Sequence, residues 1–91
     1  MKKVMLNDRE YELIRNYKDG FNYDELKEKF TEYFDDYDYV LGDYAYEKLR
    51  LKGFYDSKNE KCNNTNDYEK VEDYIANYCA YECKYYILKK S

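Results

Sequence analysis

The sequence contains no histidine, no proline and no tryptophan, and only three glycines. Without histidine there is no His–Cys zinc motif, no Ser–His–Asp triad and no ordinary general base near neutral pH. The few glycines form neither a P-loop nor a dinucleotide-binding turn. Ser57 and Ser91 are the only serines, and both lie in polar surroundings. No apolar run approaches the roughly 18 residues of a membrane span. Near the start only Val4, Met5 and Leu6 are consecutively apolar, too short for a signal-peptide core. A cytosolic protein without catalytic activity, without a cofactor and without a membrane partner is therefore expected. The three cysteines, Cys62, Cys79 and Cys83, are an odd number, which argues against a disulfide framework.

What the chain does have is charge and tyrosine. It carries 20 acidic against 16 basic residues, a net charge of −4, whereas a protein binding nucleic acid over its whole surface is normally basic. Fifteen tyrosines and four phenylalanines mean that the core must be largely aromatic, with many hydroxyls kept wet or hydrogen-bonded. Enrichment in Lys, Asn, Tyr, Ile, Asp and Glu is also what an AT-rich genome produces. Ninety-one residues make a single domain, residues 1–91, with room for one modest core.

Hydrophobic periodicity orders the elements. "KVML" and "YELIRNY" alternate and predict a hairpin whose polar loop is "NDRE". In "FNYDELKEKFTEYFDDY", Leu26, Phe30, Tyr33, Phe34 and Tyr37 fall on one helical face. Asn22 is placed to cap that helix, Glu25 to complete a capping box, and Phe21 with Leu26 to form a hydrophobic staple. A short strand at Tyr39–Leu41 is expected to stop at Gly42 and Asp43, with residues 43–46 turning the chain. "KLRLKGFY" then alternates, with Leu49 and Leu51 on one side and Lys48, Arg50 and Lys52 on the other. Residues 56–66 read as a mobile polar loop. A second helix carries Tyr68, Val71, Tyr74, Ile75, Tyr78 and Cys79 on one face, capped by Thr65 or Asn66. "KYYILKK" is apolar on both faces and predicts an interior strand. The fold class is α+β, in the order ββ-α-ββ-α-β. It has about five short, mostly antiparallel strands and two amphipathic helices, with the sheet covered on one side.

The stretch "YDYVLGDYAYEKLRLKGFYD" and the later "NYCAYECKYYILKK" resemble the YutD-like family of small bacterial proteins. The resemblance rests on Tyr37, Asp38, Tyr39, Gly42, Asp43, Tyr46 and the run Leu49–Phe54. Tyr78, Cys79, Cys83, Tyr85, Leu88 and Lys89 extend it, so that it spans nearly the whole chain. Where the family carries Trp and Gly, this sequence has Tyr44 and Ala45. The resemblance implies an α+β fold in the cytosol and assigns no activity.

The candidate binding residues are Asp43, Tyr44, Tyr46, Lys48, Arg50, Lys52 and Tyr55. Their cations suit an acidic partner, a protein or alternatively an RNA whose bases stack on the tyrosines. A plainer reading is a wet sheet face with lysines guarding an edge. Asp43 and Arg50 suit an ion pair across the hairpin or a recognition site. Asp35, Asp36 and Asp38 match no calcium-loop spacing and read as a solvated helix end. Cys79 and Cys83, four apart, are weak candidates for a metal or thiol site, and the plainer reading makes them packing residues.

Overall fold

The structure, a computed structural model, describes residues 2–45, 48–78 and 83–90. The described elements run β1 (Lys2–Leu6), β2 (Arg9–Tyr17), α1 (Tyr23–Lys29), β3 (Tyr39–Ala45), β4 (Lys48–Phe54), α2 (Val71–Tyr78) and β5 (Tyr85–Lys90). Short 3-10 helices precede β3 (Glu32–Asp36) and α2 (Tyr68–Lys70). The strands form one sheet in the order β1-β2-β5-β3-β4, and every pairing is antiparallel. The α+β class and the order of elements are as the periodicity predicts, and β5 is interior.

The covering of the sheet is different. Strand alternation sends Val4, Leu6, Tyr11, Val40, Leu49, Tyr86 and Leu88 to one face, where they pack with Leu26 and Phe30 of the α1 segment. The other face buries Leu41, Phe54 and Ile87 against Val71 of α2. The helices therefore lie on opposite faces of the sheet, not on one. Period-2 alternation separates the two faces of a strand but does not say which face stays wet.

The first hairpin is tighter than "NDRE" suggested. β1 and β2 pair up to Leu6 and Arg9, leaving two turn residues, Asn7 and Asp8, at φ 51° and 64°. Asn and Asp tolerate this left-handed region because their side chains bond locally, and two such residues match the twist of a hairpin. The helix in "FNYDELKEKFTEYFDDY" is shorter than its pattern. Asn22 caps it as expected, accepting from the Glu25 N–H at 3.2 Å. Glu25 does not complete the capping box in return, because its carboxylate accepts the Tyr44 hydroxyl at 3.0 Å. At Phe30 and Thr31 the backbone is extended, and the chain resumes as a 3-10 helix. Phe30 stays in the core, while Tyr33 is left 67% exposed.

β3 does not stop at Gly42 but continues to Ala45. Gly42 serves packing rather than a turn. A Cβ there would sit 2.4 Å from the Tyr86 ring, so glycine lets the hydroxyl end of that ring approach the strand. Gly53 likewise makes room for Tyr37, whose ring would meet a Cβ at 2.2 Å.

The polar segment expected to be mobile is tied down. Asp38 accepts from the Asp56 N–H at 2.8 Å and from the Asn59 amide at 3.1 Å. The Asn63 side chain accepts from the N–H groups of Thr65 and Asn66. The cap of the second helical segment is Asp67, accepting from Glu69 N–H at 3.0 Å, rather than Thr65 or Asn66.

Candidate functional site

β4 is an edge strand with β3 on one side. Alternation puts Lys48, Arg50, Lys52 and Phe54 on the α2 face, and Leu49, Leu51 and Gly53 on the α1 face. The three cations thus sit in a row, as the sequence predicts, on a sheet face that α2 covers only in part.

Asp43 and Arg50 are directly opposite in the β3–β4 register. Arg50 Nε and Nη2 donate to the two carboxylate oxygens at 3.2 and 2.7 Å, a bidentate pair. The Asp43 side chain is 3% exposed and that of Arg50 is 44% exposed, so the carboxylate is buried and the guanidinium reaches solvent. This is the cross-hairpin ion pair that the sequence allowed. It lies within the ladder and not in a turn.

Lys52 meets aromatic rings. Its ammonium lies 5.3 Å from the Phe54 centroid and 5.5 Å from that of Tyr74. Beside it a cavity of about 280 Å³ opens between β4 and α2, lined by Lys52, Phe54, Asn64, Lys70, Asp73 and Tyr74. On the other face a second cavity of about 370 Å³ is lined by Lys29, Phe34, Leu49, Arg50 and Leu51. Lys29, Lys70 and Tyr74 were missed as site residues. In the sequence they are helix-face positions like their neighbours, and only tertiary packing brings them beside β4.

The tyrosines do not join the cations. Tyr44 points to the α1 face, opposite to Asp43, with its ring under the Lys84 ammonium. Burial, reinforced by the Glu25 carboxylate, pushes its hydroxyl up to about 12. Tyr55 is only 7% exposed and stacks on Tyr37 at 4.6 Å. It donates to Asp36 at 2.6 Å, a bond that raises the Tyr55 pKa and lowers that of Asp36, which Lys61 also holds. Tyr46 lies outside the described residues. Of the seven candidates, then, Asp43, Lys48, Arg50 and Lys52 come together, while Tyr44 and Tyr55 are used elsewhere in the fold.

The aspartates of "FDDYDY" act as ties, Asp36 and Asp38 through their carboxylates and Asp35 through its backbone. Asp36 holds Lys61, Asp38 holds the start of the 56–66 loop, and the Asp35 carbonyl accepts from Lys90 Nζ at 2.8 Å. Cys62 is a free, partly buried thiol, and Cys83 is disulfide-bonded. The odd cysteine count thus excluded a framework of several bridges but not a single one. Cys79 lies outside the described residues. Burial, with Asp67 close by, raises the Cys62 thiol pKa, the opposite of what a reactive thiolate needs. Among the described residues no helix is long and apolar enough to cross a membrane.

Comparison with known proteins shows the family and the fold. The family model described as "Putative antitoxin YutD-like" matches residues 5–89. A protein of Bacillus subtilis (strain 168) named "Putative antitoxin YutD" is 38% identical over 87 residues, covering 96% of each chain. The solution NMR structure of protein yutD from B. subtilis superimposes with a TM-score of 0.84 at 36% identity. That match covers 100% of this chain and 83% of the other.

Proposed function

The chain belongs to the YutD-like family, and on that premise we propose that it acts by binding, not by catalysis, and that its partner is a protein with an acidic surface. The observation that carries this reading is the row Lys48, Arg50 and Lys52 on an edge strand of a chain whose net charge is −4. A local cationic strip on an acidic protein selects partners by charge complementarity and disfavours basic ones. The description "Putative antitoxin", given to the family and to the B. subtilis relative, fits a protein that works by engaging another macromolecule. A cytosolic location suits such a role.

RNA is the weaker reading. Stacking of bases needs exposed rings beside the cations. Tyr44 is turned to the other face and Tyr55 is buried.

The test is capture from a bacterial lysate with tagged protein, with and without RNase, beside a Lys48→Glu, Lys52→Glu variant shown to be folded. Arg50 is left intact in that variant because a glutamate there would face the buried Asp43 carboxylate. A protein retained after RNase and lost from the variant supports the reading. Loss on RNase treatment replaces it with RNA. Undiminished capture by the variant moves the interface away from β4.

A further inference from the structure

The edge of β4 is built to take another strand. Tyr44 N–H donates to Lys84 O next to β5, so the backbone groups of Val40, Gly42 and Tyr44 face β5 and those of Leu41 and Asp43 face β4. Their β4 partners Lys52 and Arg50 therefore use their backbone bonds inward. By alternation, the N–H and C=O of Leu49 and Leu51 point outward, where no strand pairs with them among the described residues.

One position further on, the chain occupies this same edge itself. Tyr55 forms a parallel bridge with Asp67. Its N–H donates to Asn66 O at 2.7 Å, and its carbonyl accepts from Tyr68 N–H at 2.9 Å. The short pairing ends there and leaves Lys48–Lys52 open. The two cavities flank the open stretch, one on each face of the sheet. An added strand would send alternate side chains to the two sides. Next to Lys48, Arg50, Lys52 and Lys70 the fitting side chains are carboxylates, and next to Leu49, Leu51 and Phe34 they are apolar.

From this arrangement we infer that β4 receives an extended acidic segment of the partner protein as a sixth strand of the sheet. The inference rests on the protein-binding reading and specifies how the partner is held. Main-chain hydrogen bonds supply the attachment, and the flanking cavities read alternate side chains. A second copy of this chain is a poor occupant. Antiparallel pairing of two β4 strands about Arg50 would set Arg50 against Arg50 and Lys48 against Lys52, and like charges directly opposite are destabilising.

The probe is a peptide as long as the seven residues of β4, alternating glutamate and valine. Two controls share its length: one is N-methylated on every other residue to block pairing with β4, and one has lysine in place of glutamate. Binding is read from backbone amide shifts, and pairing from the hydrogen exchange of the Leu49 and Leu51 amides. The expected result is binding of the acidic peptide with slowed exchange at Leu49 and Leu51. Both controls and the Lys48→Glu, Lys52→Glu protein should bind at least about tenfold more weakly. Equal binding of the N-methylated peptide would overturn strand addition while leaving the basic face as a docking surface. No perturbation of β4 by the acidic peptide would also overturn it. The RNase-controlled capture above decides the protein-binding reading separately, so the two failures are distinguishable.

Discussion

Asp43 is buried with a single guanidinium across its two oxygens, and Arg50 is half-exposed. Removing Arg50 leaves a carboxylate inside the sheet with its charge uncompensated, which costs more than the pair contributes. Arg50→Ala should lower unfolding free energy by roughly 1–3 kcal/mol, discounted for the exposure of the arginine. Lys48→Glu, on an exposed side chain, should change it by less than about 0.5 kcal/mol. Urea unfolding of the two variants checks the contrast, and equal effects would mean that the ion pair is not structural. Tyr86 gives a second test at this scale. Its ring lies on Gly42, and among the described residues no side chain or backbone group bonds its buried hydroxyl. Gly42→Ala is expected to destabilise by about 1–3 kcal/mol through overpacking. Tyr86→Phe should be neutral or stabilising, because it removes a buried polar atom without breaking a bond. A large loss of stability in Tyr86→Phe would contradict this account of the site.

At the scale of elements, caps and alternation were legible and long-range contacts were not. Asn22 announces its helix by residue type and position alone. The same segment hides its own break, because Tyr33, Phe34 and Tyr37 keep helical spacing although the chain is extended at Phe30 and Thr31. What interrupts the helix is tertiary: Phe34 packs against the α1-side core, and Tyr37 lies over Gly53 and stacks on Tyr55. Gly42 misled for a related reason. A glycine between polar residues resembles a turn until the ring that needs its space is known. The cationic alternation of β4 and the second helix were both readable, but the placement of that helix beside β4 was not, nor was that of Lys29, Lys70 and Tyr74 at the flanking cavities. The loop at 56–66 read as mobile because its ties come from Asp36 and Asp38, about twenty residues earlier in the chain. Asp38→Ala should therefore speed limited proteolysis within residues 56–66 with little change in global stability. An unchanged cleavage rate would show that the Asp38 bonds do not order the loop. Asn22→Ala should cost about 1 kcal/mol, the usual loss of an N-cap.

For the whole molecule, shifted tyrosines and aspartates contribute to the pH dependence of stability. Asp36 and Asp67 lie below the ordinary value of 3.8, held down chiefly by hydrogen bonds from Tyr55 and Ser57. A lowered folded pKa means that stability is present above pH 3.8 and is lost as pH falls through the folded value. Burial chiefly pushes Tyr11 and Tyr44, and the bond with Tyr33 chiefly pushes Tyr37, up from 10 to about 12. Their contribution is complete below pH 10 and is lost as pH rises from 10 to about 12. Unfolding followed across pH should show a plateau between these limits, with part of the ultraviolet tyrosinate absorbance, that of the buried tyrosines, rising late and together with unfolding. Early ionisation of all the tyrosines would contradict the burial described. The central claim is that β4 is the edge at which a protein partner docks. In-cell photocrosslinking tests it most directly, with a photoreactive residue at position 48 and, as a control, at position 3 on β1, the opposite edge of the sheet. The account predicts an RNase-resistant protein adduct from position 48 and none from position 3. Adducts from position 3 alone, or an adduct that RNase removes, would contradict it.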